Sequence, residues 1–383
     1  TSPPRCAMAR PAPRPYALPL AAPPDGAPAM PSPNPTSPLA RAFAESAMPL
    51  TERGGAAVPE AIIDPRLERA ALETAAGLVD LGFLGHFTAV GRHRQRFVHN
   101  MTTCQVKALT PGQGRFGLLV EQKGHVVAQL VVEAEADALR VEVMREKAEA
   151  AMAQLVKYRV ADDVRFAELP GLHVLAVLGP TALDVVPEAE DLDDYAFRDV
   201  DLDGVPARVR RNPARLGIAG VDVTIAEDDA QRAYGALATR GALPCGQAAL
   251  DAVRVASEWP WDGVDIGLDN LPLESARLYA TVDWDKGCYI GQEVIAMTHY
   301  RGRPNKLLRR VTIAADAPDA AGATLTAGDK AVGVLGTASP VAVGGERTAL
   351  AVIKRKHAEA GTILGLPGGG TARVEGGLDA PSA

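Results

Sequence analysis

The stretch DKGCYIGQEVIAMTHYRG, residues 285–302, gathers Lys286, Gly287, Cys288, Tyr289, Gly291, Gln292 and Glu293 within eight positions. Cysteine is scarce in this chain: Cys6, Cys104, Cys245 and Cys288 are the four in 383 residues. A thiol beside a lysine and just ahead of a helix start is in a setting that favours the thiolate. Free backbone N–H groups and the macrodipole attract negative charge there. The spacing predicts such a helix, with Ile290, Val294 and Met297 at i, i+4 and i+7 sharing one face. Cys288 is therefore the candidate functional thiol. The competing reading makes it a small buried filler, with the glycines serving the turn, since free cysteines are among the most buried residues. His299 lies eleven residues on, and nothing in the spacing assigns it as a base. One cysteine cannot supply the four thiolates a complete iron–sulfur cluster needs, and no Cys/His cluster has zinc spacing. No metal site is expected.

Two further stretches carry charge in patterns that suit a ligand. YRGRPNKLLRR holds Arg301, Arg303, Lys306, Arg309 and Arg310 without an acid. It reads either as an anion site, which the arginine fork matches, or as a solvated basic edge. In ALDAVRVASEWPWDGVDIGLDNLPLESARL, Arg254 lies on an amphipathic helix and Glu274 follows a proline. The pair suits either a ligand with donors and an acid group or an ion pair linking domains.

The elements that must position these residues follow from periodicity. LERAALETAAGLVDLG has helical spacing, and HFTAVGRHRQRFVHNMTTCQVKAL reads as a strand, a turn and a short helix. RFGLLVEQKGHVVAQLVVEAEADALRVEVM reads as three strands, with turns at Lys123–Gly124 and near Ala136–Asp137. REKAEAAMAQLVKYR is a helix, and HVLAVLGP a buried strand. Strands ARVRR and GVDVTIA then precede helices EDDAQRAYGALATRG and GQAALDAVRVASEW. Strand runs mixed with helices without strict alternation predict an α+β fold. From Leu307 on, short strands between Gly-rich turns predict a small β-barrel. The expected division is a Pro/Ala-rich disordered tail over residues 1–55, a body over 56–304 and the barrel over 305–376.

Composition bounds the rest. At 47% hydrophobic and 23% charged the chain is ordinary for a soluble globular protein. The net charge of −7 argues against general nucleic-acid binding, and direct contact with nucleic acid is not expected. No run of about 18 apolar residues predicts a membrane span. Widely spaced cysteines fit a reducing compartment, so a cytoplasmic location is expected. An organellar one applies if the Arg-bearing N-terminal tail is a transit peptide. Met48 is an alternative start, with the upstream segment then a gene-model extension.

Together, KGCYIGQE followed by YRG resembles the signature of the YgfZ-type folate-binding proteins. These are relatives of the glycine-cleavage T protein (aminomethyltransferase) and include iron–sulfur assembly factors. The wider resemblance covers roughly residues 75–375. It implies a T-protein-like, three-part fold around a central opening that holds tetrahydrofolate. By that comparison Arg254 and Glu274 lie near the folate, and Asn100 and Thr102 line the opening from the first domain. Lys286, Tyr289, Gln292 and Arg301 are assigned to the same site. The implied partners are folate and iron–sulfur enzymes or assembly proteins, including enzymes that modify tRNA.

Departures from the T-protein pattern qualify that picture. The strand whose second Asp is central to aminomethyl transfer is GHVVAQL here, which puts the neutral Gln129 at that position. Glutamine is no general base and stabilises no iminium by charge. Ile218 stands where the T protein has a ligand-facing Glu, and Gln105 where an Asp is usual. The expectation is a folate-binding accessory protein without aminomethyl transfer. The alternative is a folate-dependent aminomethyl- or one-carbon transferase.

Overall fold

The computed structural model describes residues 37–301, 304–317 and 321–379. Most of the prolines that predicted a tail precede residue 37, outside the described residues. Residues 37–59, however, are folded, which corrects the expectation that the unstructured segment extends to 55. Helix α1 (Pro38–Glu45) starts on Ser37, whose side chain accepts the Ala40 N–H, and Pro38 occupies the first turn. Its Leu39, Ala40 and Phe43 are buried. Phe43 meets Tyr234 edge-on with ring centroids 5.3 Å apart. A hairpin follows, β1 (Leu50–Arg53) and β2 (Ala56–Pro59), turned by Gly54 and Gly55, both at positive φ. The i, i+4 spacing of Leu39 and Phe43 was present in the sequence but lay hidden by the surrounding Pro and Ala. Phe43→Ala is expected to cost about 3 kcal/mol in urea unfolding. A loss under about 0.5 kcal/mol would mean that α1 is no part of the cooperative unit.

The chain continues through α2 (Pro65–Thr74), β3 (Gly77–Asp80), β4 (Leu84–Val90), α3 (Arg94–Met101), β5 (Gly114–Val120), β6 (Val126–Ala134) and β7 (Ala138–Met144). Next come α4 (Ala148–Tyr158), β8 (Arg165–Glu168), β9 (Leu172–Leu178), α5 (Ala182–Val185), β10 (Phe197–Leu202), β11 (Val205–Asn212) and β12 (Gly220–Ala226). Helix α6 (Ala230–Thr239), β13 (Leu243–Cys245), α7 (Gln247–Ala256), α8 (Ala276–Tyr279) and α9 (Gln292–Arg301) complete the body. Strands β14 (Lys306–Ala314), β15 (Thr324–Ala327), β16 (Lys330–Ala338), β17 (Glu346–Lys354), β18 (Ile363–Gly365) and β19 (Thr371–Gly376) finish the chain.

The fold is α+β. One sheet has the order β5-β6-β7-β4-β8, and a second has β10-β11-β12-β9-β3-β13. The last six strands close into a barrel in the order β14-β17-β16-β15-β18-β19, with β14 paired to both β17 and β19. Closure removes sheet edges and buries Val311, Ile313, Leu325, Leu335, Ile353 and Leu364 inside.

The two large sheets meet across a layer of buried charge. Arg210 on β11 reaches Glu133 on β6 at 2.7 Å, Glu142 on β7 at 2.8 Å and Asp222 on β12 at 2.8 Å. Arg215 bridges Glu142 and Asp222 at 2.8 and 3.0 Å. Arg208 meets Asp199 and Glu135 at 2.7 and 2.6 Å. Burial alone would raise the Glu142 carboxyl, but Arg210 and Arg215 hold it well below the usual range. Four arginines, counting Arg140, face five carboxylates here, so nearly every buried charge has a partner.

Candidate functional site

The motif around Cys288 is a clasp on the first sheet's helix. Segment 283–292 crosses the C-terminal end of α3, where backbone carbonyls lack helical partners. The buried Lys286 supplies donors: its Nζ bonds the carbonyls of His99, at 2.5 Å, and Thr102. Burial pulls this ammonium down to about 8. Ile290 N–H donates to Asn100 O at 2.9 Å, and Asp283 N–H to Thr103 O at 3.0 Å. Tyr289 turns inward, 7% exposed, under the Lys286 ammonium 4.9 Å from its ring centroid, and burial pushes its phenol up to about 12. Gly291, at φ +76°, lets the chain pass close to Glu121 O, which a Cβ there would approach to 2.4 Å.

Two expectations are corrected by this geometry. Lys286 is committed to carbonyls rather than to the thiol, and α9 begins at Gln292, four residues beyond Cys288. The inward residue of α9 is Ile295, whereas Met297 is 44% exposed, and Ile290 lies ahead of the helix rather than on its face. His299 is no base for Cys288: its Nδ1 lies 3.0 Å from Tyr279 Oη, and its ring stacks on Trp284. The filler reading fails as well, since Cys288 is exposed while Cys104 and Cys245 are buried. The clasp buries Lys286 and Tyr289 and leaves Cys288 as the exposed cysteine among the described residues. Brief alkylation followed by peptide mapping should label Cys288 and spare Cys104 and Cys245. Equal labelling of all three would contradict this picture.

The remaining expected residues scatter. Asn100 is exposed at the end of α3, with its carbonyl engaged by Ile290. Thr102 is fully buried, its hydroxyl donated to Val98 O at 2.9 Å. Gln292 and Arg301 are the first and last residues of α9. Arg254 on α7 is completely buried. It donates to Asp265 and to Trp259 O, each at 2.7 Å, and to Asp251 at 3.1 Å. It also lies 4.9 Å from the Trp261 ring centroid. The ion-pair alternative holds for Arg254, with Asp265 and Asp251 rather than Glu274 as partners. Asp265 in turn accepts the Thr337 N–H on β16 at 2.6 Å, which docks the barrel on α7. Glu274 is 5% exposed, has no arginine among the described residues, and accepts from Asn270 at 2.7 Å. Burial pushes its carboxyl up to about 7.

Two cavities bear on ligand binding. The larger, about 440 Å³, lies between the 263–270 loop and β14, β16 and β17. Its lysines are already engaged, Lys306 with Asp269 O and Lys354 with Ala331 O, each at 2.9 Å. The smaller, about 20 Å³, sits where β4, β5, β6, β7 and the turn after β11 converge under the 259–262 segment. It is lined by Phe116, Gln129, Met144, Trp259, Trp261 and Asp262, among others. Gln129 lines this smaller cavity. Its Nε2 donates to Pro260 O at 2.8 Å and its N–H to Asp262 Oδ2 at 2.6 Å. That N–H is available because the β6–β7 ladder begins only at Val131–Glu142. Size alone favours the outer cavity. The smaller one is lined by a buried polar atom left unmatched, since Asp262 Oδ1 takes no hydrogen bond from the described residues. Asp262, Trp259 and Trp261 were missed in the sequence, although two of the chain's three tryptophans fall in WPWDG.

The GCVT N-terminal domain profile matches residues 61–286, more than half of the chain. The chain belongs to the GCVT N-terminal domain family. This GCVT-family chain is 29% identical over 309 residues to an aminomethyltransferase of Mycobacterium avium, covering 78% of this chain and 83% of the relative. It is 25% identical over 322 residues to that of Bacillus subtilis, covering 81% and 88%. The solved aminomethyltransferase T of the Bartonella henselae glycine cleavage system superposes with a TM-score of 0.75. That match covers 90% of this chain and 97% of that one at 19% identity, a likeness of fold. In this GCVT-family chain the matched segment ends at Lys286, so Cys288 lies just beyond it. Among the described residues, no helix is long and apolar enough to cross a membrane.

Proposed function

We propose that this chain is a tetrahydrofolate-binding, T-protein-like accessory protein that supports assembly or repair of iron–sulfur enzymes, including those that modify tRNA. It does so from the cytoplasm, or from an organelle if its N-terminal segment is a transit peptide. The observation that carries the reading is the central opening, where a neutral Gln129 has its side chain tied to Pro260 O. A tied, uncharged amide leaves this position without the acid that aminomethyl transfer uses, whereas an aromatic wall with one free carboxylate oxygen suits a pterin. At about 20 Å³ the opening has room for roughly one water, so a pterin enters when the 259–262 segment moves. The exposed Cys288 is the point of contact with client proteins.

The test has two arms. Calorimetry with tetrahydrofolate should give binding and a raised melting temperature, because a ligand selective for the native state stabilises it. Cells lacking the family member should regain iron–sulfur enzyme activity with the wild type and lose that rescue with Cys288→Ala. Full rescue by the variant would remove the thiol from the mechanism. One observation favours the transferase alternative: the opening still holds a carboxylate, that of Asp262. Turnover of an aminomethyl donor with tetrahydrofolate, at a rate matching Gln129→Asp, would establish that alternative instead.

A further inference from the structure

Asp262 is one of the few buried acids without an arginine among the described residues; Glu68, Asp80 and Glu274 are others, but of these only Asp262 lines the small cavity. Glu133, Glu142, Asp222, Asp251 and Asp265 each face an arginine, and Asp262 faces none among the described residues. It is 3% exposed and lines the central cavity. Oδ2 accepts the Gln129 N–H at 2.6 Å, while Oδ1 is buried without a partner among the described residues. Trp259, Trp261 and Phe116 stand around the same space. The other charged residues of the lining, Glu142 and Arg215, neutralise each other at 2.8 Å. Outside it, Lys147 and Glu146 act on Asp262 in opposite senses. Burial outweighs the lowering by the Gln129 N–H and the nearby Gln129 side chain, and pushes this carboxyl up to about 6. A fold gains nothing from an unmatched buried carboxylate, and groups kept at a cost to stability concentrate where ligands bind.

We propose that Asp262 anchors the ligand, its free Oδ1 receiving the N–H edge of a planar nitrogen heterocycle held among Trp259, Trp261 and Phe116. This rests on the folate reading above and deepens it. The amino-pyrimidinone end of a reduced folate, which offers adjacent N–H donors, is the part that enters, and the acid comes from the segment after α7 rather than from β6.

The test compares wild type with Asp262→Asn, which keeps an acceptor for the Gln129 N–H and loses the charge. Titration with 5-formyltetrahydrofolate at pH 7.5 should show at least tenfold weaker binding by the variant. Wild-type affinity should fall between pH 7.5 and 5.5, as Asp262 takes up a proton, and that of the variant should stay flat. In a Trp284→Phe background, binding should change the fluorescence of Trp259 and Trp261. Without ligand, the variant should melt higher than wild type at pH 7.5 and close to it at pH 5. A carboxyl raised by burial carries its cost above its folded pKa and sheds it below. Equal affinity of the two proteins overturns the role of Asp262 and leaves the folate reading standing. Absence of binding by the wild type overturns the folate reading and this assignment together. A variant that melts lower than wild type by the same amount at both pH values also overturns the proposal, because Asp262 would then be structural.

Discussion

Arg254→Met should lower stability by ~3–5 kcal/mol in urea unfolding, one of the largest single losses expected in this protein. The arginine is fully buried between two carboxylates, Asp251 and Asp265, and no water reaches it. Its removal strands Asp265, which keeps only the N–H groups of Trp261 and Thr337 and the Thr337 hydroxyl. Asp251 fares better, retaining Arg53 and the Trp261 indole N–H. Arg254→Lys should fail nearly as badly, because an ammonium cannot span three acceptors from a fixed planar fork. Adding Asp265→Asn to Arg254→Met should recover part of the loss by removing the stranded charge. Hydrogen exchange at Thr337 should quicken in the single variant, since that amide reports the docking of the barrel. If Arg254→Met melted like wild type and only lost folate affinity, Arg254 would be a ligand contact and the clamp described here would be wrong.

Glu274→Gln should raise stability at pH 8.5 and leave it unchanged near pH 4. Burial pushes the Glu274 carboxyl up to about 7, above its usual value. The folded state therefore binds this proton more tightly than the unfolded chain does. Its contribution is complete below the unfolded carboxyl value and is lost as pH rises through about 7. Glutamine keeps an acceptor for Asn270 and has no proton to lose. The gain at pH 8.5 should approach roughly 3 kcal/mol, read as a shift of the urea midpoint against pH. A variant no more stable at pH 8.5 than at pH 4, relative to wild type, would mean that Glu274 ionises freely in the native protein.

Much of the fold was legible in the sequence because period-2 and period-3.6 patterns survive wherever one face is buried. The hairpins of the first sheet, the two strands preceding α6 and the Gly-punctuated barrel all read in this way. Helix α1 did not, since two apolar residues four apart carry little signal among prolines and alanines. The site was legible only in part. Rarity pointed to Cys288, but the direction of Lys286 depends on helix carbonyls 187 and 184 residues earlier, which local spacing cannot register. Arg254 and Glu274 read as one possible pair, yet Arg254 is paired with other acids and Glu274 with no arginine among the described residues. Asp262 escaped because its defining property is an absent partner, created where β7 stops pairing with β6.

The charged layer between the two sheets also constrains how this sequence can change over generations. Arg210 serves three carboxylates drawn from both sheets, and Glu142 serves two arginines and lies 3.3 Å from His86. Losing any one member strands the others, whereas replacing the whole set by apolar residues is close to neutral in stability. The intermediate steps form a deep valley between two passable states. A lineage carrying this arrangement is held to it, and substitutions at positions 133, 142, 210, 215 and 222 should be found among relatives together or not at all.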